Sequence, residues 1–176
     1  MWIGHFAAGY AFKARVPKAP LAALLIGIGF LDYLFSLFVA LKLEIVSKHG
    51  LEFIDWSHSL TMSVIWSLAF GALFYKLGWK VSFTIGAAVF SHFVLDLMVH
   101  DPDLTFYPHG AQHFGFGPWL SQFDKTARWA LELLVIGCCL WYYLYKMGKM
   151  QLTTKYSVIA CIVLISLHCV RFFSGL

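Results

Sequence analysis

The chain of 176 residues is 60% hydrophobic and 18% aromatic, and only 12% of it is charged. Its formal net charge of +4 comes from basic residues that punctuate the ends of apolar runs, with no basic stretch interleaved with aromatics, so a nucleic-acid partner is excluded. Apolar runs of about 20 residues recur along the chain, the composition of a multi-pass membrane protein.

The opening MWIGHFAAGYAF is apolar for about 12 residues, too short to span a bilayer. Lys13, Arg15 and Lys18 follow it instead of preceding it, the reverse of a secretory signal peptide. It is expected to be a retained half-helix of roughly 18 Å, surrounded by protein, with His5 at membrane depth. Pro20 to Leu41 reads as the first full span, interrupted by Asp32, and Lys42 to Asp55 as a polar loop. Trp56 to Tyr75 is the second span and opens with WSHSL. After a tight turn at Leu77 to Trp79, Lys80 opens the third span, which runs out to Asp101. Pro102 to Asp124, rich in Gly, His and aromatics, is expected to fold over the outer mouth of a site. Lys125 to Tyr145 is the fourth span, containing Glu132, and Tyr156 to Phe173 the fifth, containing His168 and Arg171. Cys138, Cys139, Cys161 and Cys169 all fall inside apolar segments, which indicates packing and no disulfide framework. The expected fold is an all-α membrane helical bundle, five transmembrane helices plus the short N-terminal half-helix, in one transmembrane domain spanning residues 1–176.

Lys13, Arg15, Lys18, Lys76, Lys80, Lys146, Lys149 and Lys155 fall on one side of these spans, against Lys42, Lys48 and Lys125 on the other. The richer side is expected to be cytoplasmic. The carboxylates then lie within spans (Asp32, Asp96, Glu132) or in the outer loops (Glu44, Glu52, Asp55, Asp101, Asp103, Asp124), so a site built from them faces outward. At about 1.5 Å per residue from the cytoplasmic end of each span, Asp32 and His92 rise roughly 18 Å, Glu132 about 21 Å, Asp96 about 24 Å and His58 roughly 27 Å, with His100 near the outer boundary at about 30 Å.

Within SHFVLDLMVHDPD, Ser91 to Asp103, residues His92, Asp96 and His100 stand at i, i+4 and i+8, so on a helix they drift only about 40° per step and share one face. The residues between them are apolar. A carboxylate inside a membrane helix is costly, which makes this stripe a functional-site expectation. Imidazole and carboxylate together suit a divalent transition metal, zinc or manganese first, and a catalytic site needs about three protein ligands with a position left open. His58, His92 and Asp96 are the expected ligands, with His5 and His100 as further ligands or supporting donors. Asp32 is the expected proton-accepting base, with Glu132 second. Ser57 and Ser59 read as helix-capping residues more than nucleophiles, and His109 and His113 as solvated loop residues.

Gly4 and His5, the single Asp32, WSHSL at Trp56 to Leu60, SHFVLD at Ser91 to Asp96 and HDPDL at His100 to Leu104 together resemble the bacterial inner-membrane family of membrane-bound metal-dependent hydrolases (YdjM-type), over roughly residues 1–145. That family's motif set, an early His, an Asp in the first span, a THS or SHS element and an SHxxxD element, maps onto His5, Asp32, His58, His92 and Asp96. Phe30 and Leu31 stand where the family commonly has a proline before the Asp, which removes the residue expected to break the first span.

The function expected from these residues is metal-dependent hydrolysis of an ester or phosphoester of a lipid-like or amphiphilic substrate at the outer-leaflet side of a bacterial inner membrane. Membrane lipids are the expected partners, and the oligomeric state is not specified. The rival readings are a proton- or cation-coupled transporter and a scaffold whose buried polar cluster only locks helices together.

Overall fold

A computed structural model describes residues 3–45, 54–100, 102–117, 119, 125–152 and 154–174, with the side chains of 125 and 171–174 left aside. Glu52, Asp101, Asp124, Lys48 and the side chains of Lys125 and Arg171 therefore lie outside what is described. The elements are α1 (Ile3–Arg15), α2 (Leu21–Ile28), α3 (Phe30–Ala40), α4 (Asp55–His58), α5 (Leu60–Ala72), a 3-10 turn (Tyr75–Leu77), α6 (Trp79–Leu97), a hairpin of β1 (Leu104–Thr105) and β2 (His113–Phe114), α7 (Lys125–Lys149) and α8 (Lys155–Ser174).

The helical class holds, and five spans do not. Among the described residues two helices, α6 and α7, are long and apolar enough to cross a membrane, or three if α2 and α3 count as one bent span. The first expected span is broken at Gly29, where the axes of α2 and α3 turn by 48°. The second is broken at Ser59, whose backbone is extended (φ −68°, ψ 153°), leaving the four-residue α4 and the 13-residue α5. In the last, Lys155–Val170 is among the shorter apolar helices.

α1 is the expected half-helix, and it is buried, with Gly4, Ala7, Ala8 and Gly9 on the faces it presents to neighbours. It packs against α7, α2 and α6. Its C-terminal end is held by Lys13, whose ammonium donates to the carbonyls of Pro17 at 2.6 Å and Ala19 at 2.8 Å. One apolar core joins α2, α5 and α6 through Leu24, Ile28, Phe70, Ile85 and Val89. A second joins α1, α7 and α8 through Ala7, Tyr10, Ile136, Leu140 and Cys161. Outward-facing positions carry large apolar side chains such as Leu68, Leu73, Phe83, Leu134 and Trp141, a surface compatible with a lipid environment.

α5 crosses α6 closely, the two joined by a short turn through Gly78 at φ 97°. Ser67-xxx-Gly71 on one helix meets Ser82-xxx-Gly86 on the other, and small residues let the backbones approach. A Cβ on Gly86 would lie 2.8 Å from the Ser67 carbonyl, and one on Gly71 2.9 Å from the Ser82 carbonyl. Ser82 Oγ donates to the Gly71 carbonyl at 2.8 Å across the same contact.

Gly86→Val should therefore lower stability in detergent by about 1–3 kcal/mol through overpacking. Gly137→Ala, where a Cβ meets nothing within 4 Å, should leave stability unchanged or raise it by up to about 1 kcal/mol. Thermal unfolding of the two variants side by side checks the crossing, and equal shifts would contradict it.

Candidate metal centre

The helix breaks supply the site. The carbonyls in the last turn of a helix have no partner within it, and Ile28, the last residue of α2, uses its carbonyl to accept from His92 Nδ1 at 2.7 Å. Beyond the break, Asp32 sits in the first turn of α3, where the helix dipole favours a carboxylate. At the second break Ser59 caps α5, its hydroxyl accepting from the Met62 amide at 3.4 Å, and leaves His58 as the last residue of α4. His92 and Asp96 lie four residues apart on the buried face of α6.

These four side chains converge. His92 Nε2 lies 3.0 Å from Asp96 Oδ2, 3.4 Å from Asp32 Oδ1 and 3.3 Å from His58 Nε2. His58 Nε2 lies 3.7 Å from both Asp32 Oδ1 and Asp96 Oδ2. The outer nitrogens set the tautomers. Because Ile28 offers His92 Nδ1 only a carbonyl, that nitrogen carries the proton and Nε2 presents a lone pair. Ser57 Oγ is 2.7 Å from His58 Nδ1 and has three acceptors around it, both Glu44 oxygens at 2.9 Å and the Ile54 carbonyl at 3.2 Å. The serine proton goes to that side, so Ser57 accepts from His58 Nδ1–H, and His58 Nε2 also presents a lone pair.

Two imidazole lone pairs and two carboxylate oxygens thus stand 3.0–3.7 Å apart in five of their six pairs, a donor set suited to a cation. Four ligands about 2.0–2.1 Å from one ion at the corners of a tetrahedron stand about 3.3–3.4 Å from one another, and five of the six pairs here, all but Asp32 with Asp96, scatter around that edge. The cluster can hold a metal ion, and the ligand atoms of Asp32, His58 and His92, and those of His5, His92 and Asp96, each lie within 4.8 Å of one another. The Nδ1 anchors are the outer partners by which proteins orient ligating histidines.

Asp32, expected as a base standing off from the metal, has Oδ1 at ligand distance from both imidazoles. Its side chain is 46% exposed, against 4% for His58 and Asp96 and 1% for His92, so the cluster opens on its α3 side. His5 Nε2 faces Asp96 Oδ1 at 3.2 Å and the His92 carbonyl at 3.3 Å, two acceptors that make it a donor, and its ring stacks on His92 with centroids 4.0 Å apart. Acting as a ligand would require His5 to give up both contacts. Glu132, expected as a second base, is not among the groups brought together here: its Oε1 accepts from the amides of Ile3 at 2.8 Å and Gly4 at 3.0 Å, and Oε2 lies 3.7 Å from His168 Nδ1. It points to the start of α1.

His100 lies just past α6, which ends at Leu97. One further helical bond, from the His100 amide to the Asp96 carbonyl at 2.8 Å, carries it round. Its Nδ1 donates to Asp103 Oδ1 at 3.0 Å, and Nε2 stops 3.7 Å from Asp96 Oδ2, beyond hydrogen-bond reach. Burial of the ring works against protonation, and the hydrogen bond to Asp103 with the charges of Asp96 and Asp103 overrides it, so the His100 pKa is raised. Burial also raises the Glu44 pKa, partly offset by hydrogen bonds from Ser57 and from the Trp56 amide.

The loop after His100 folds as the hairpin beside this end of the site. The Phe106 carbonyl accepts from the Thr61 amide at 2.9 Å and its hydroxyl at 2.7 Å, and the Leu97 and His100 carbonyls accept from Phe116 and Gly117. His109 and His113 are exposed, and the His109 amide donates to Asp55 Oδ2 at 2.6 Å. Glu44 and Asp103 fix the orientation of His58 and His100, a role the sequence does not signal; no spacing pattern marks a loop carboxylate that folds back. No protein-family model, curated protein or solved structure matches the chain.

Ser57→Ala, which removes the acceptor at His58 Nδ1, should weaken zinc binding by roughly 10–100-fold while leaving the helical content unchanged. Competition with a chromophoric chelator measures this, and wild-type affinity in the variant would show that the Glu44–Ser57–His58 series plays no part in holding the ion.

Proposed function

We propose that this chain is a multi-pass membrane-embedded hydrolase of the bacterial inner membrane that binds one divalent transition metal, zinc or manganese, through Asp32, His58, His92 and Asp96. The observation that carries the reading is the convergence of four lone-pair acceptors, five of whose six spacings are 3.0–3.7 Å. The resemblance of the His5, Asp32, SHS and SHFVLD elements to membrane-bound metal-dependent hydrolases supports it. When bound, such an ion would supply Lewis-acid polarisation of an ester or phosphoryl oxygen that adds to the four protein ligands from the exposed Asp32 side.

The residues divide the remaining work. Asp32 marks the accessible side, flanked on α3 by the exposed Tyr33 and Leu37 and by Phe35, whose ring stands edge-on to His58 at 6.1 Å. An amphiphile with its ester or phosphoester linkage at the cluster and its apolar part along α3 fits that flank. His100, with Nδ1–H held by Asp103 and Nε2 facing the cluster, is the group placed to accept a proton. Its side chain is 28% exposed, which gives that proton a way out. The distribution of basic residues supports an opening on the outer side of the membrane.

Detergent-purified wild type should carry about one metal ion per chain, and Asp32→Asn, His58→Ala, His92→Ala and Asp96→Asn should each lose most of it, since each removes a ligand. His100→Ala should keep the metal and slow hydrolysis of a medium-chain p-nitrophenyl ester or of bis-p-nitrophenyl phosphate in mixed micelles by roughly 10²–10⁴-fold. Full metal in Asp32→Asn would return that residue to a base. Stoichiometric metal with no hydrolysis of either class would move the reading to a cation-handling or scaffold protein.

A further inference from the structure

Glu132 is a buried carboxylate that the metal reading leaves unused, and it reaches the cluster by another route. The first four amides of a helix have no partner within it, and away from water an unmet amide is expensive. Glu132 Oε1 meets two of them, Ile3 and Gly4, from α7, and its charge complements the positive end of the α1 dipole. The next residue in the chain is His5. Its Nε2–H reaches Asp96 Oδ1 at 3.2 Å while its ring lies on His92, 9° from parallel. Asp96 in turn gives its other oxygen to the cluster. On the far side His168, stacked on Trp129 and donating through Nε2 to the Trp129 carbonyl at 3.2 Å, sets its Nδ1 3.7 Å from Glu132 Oε2.

We infer that Glu132 is a positioning residue: by docking the first turn of α1 it sets the place of His5, and through His5 the orientation of Asp96 as a metal ligand. It touches neither the ion nor a substrate, and the inference rests on the metal reading above. A carboxylate that stabilised only the helix packing would affect zinc binding whether or not His5 is present. One that acts through His5 has nothing left to act on once that imidazole is removed.

The test is a thermodynamic cycle on the full chain in detergent, with zinc affinity read by chelator competition. His5→Ala and Glu132→Ala should each weaken zinc by roughly 10–100-fold, and the double variant should be no weaker than His5→Ala within about 3-fold. Glu132→Gln, whose amide oxygen accepts the same two bonds, should stay within about 3-fold of wild type. Losses that multiply in the double variant, an unaffected Glu132→Ala, or a Glu132→Gln as weak as Glu132→Ala would each overturn the inference. Should Glu132→Ala not fold, Glu132→Asp withdraws the carboxylate by one methylene and should cost about 10-fold in the wild-type background and nothing beside His5→Ala; equal costs in both overturn it. A wild type that binds no zinc or manganese would instead remove the metal reading itself.

Discussion

Two imidazoles whose Nδ1 protons are already committed to Ile28 and Ser57 face two carboxylates across 3.0–3.7 Å. In a low-dielectric interior that donor set is suited to a cation, and the surrounding structure maintains it. The Gly71–Gly86 crossing brings α5 and α6 within backbone contact, so the His58 end and the His92–Asp96 face lie side by side. Glu44, buried on a loop, fixes His58 through Ser57, and α1 inserts His5 beside Asp96. Each contact removes a way for the four ligand atoms to separate.

The breaks at Gly29 and Ser59 serve the same end at some energetic cost. A broken helix at membrane depth exposes backbone groups that must find partners. Here the partners belong to the site: the Ile28 carbonyl accepts a hydrogen bond from a cluster histidine, and the Ser59 hydroxyl caps the helix that follows His58. The chain thus turns the unmet backbone of its bent segments into the scaffold of the cluster. It also places Asp32 in a first helical turn, where its charge is favoured.

Much of the site is legible in the order of residues along the chain. His92 and Asp96 share a face because their spacing is helical, and a short turn between adjacent helices forces His58 to nearly the same height. The half-helix is legible from its length and the order of its charges. Height along a helix, however, says nothing about azimuth, which is why Glu132, brought near the height of Asp96 by residue counting, reads as a catalytic group when it faces the start of α1. Hydrophobicity likewise does not see a break at a glycine without a proline: Gly29 and Ser59 leave the apolar runs intact, so bent or divided segments read as whole spans. Glu44 and Asp103 become partners of His58 and His100 only through loop folding, which no local periodicity encodes.

X-ray absorption at the zinc edge of the purified, zinc-loaded chain tests the central claim most directly, because it reads the atoms around the ion whatever the substrate. The account predicts a four-coordinate first shell of nitrogen and oxygen near 2.0–2.1 Å with the scattering signature of two imidazoles. Sulfur in the first shell, or an ion surrounded only by water oxygens with no imidazole signature, would contradict it.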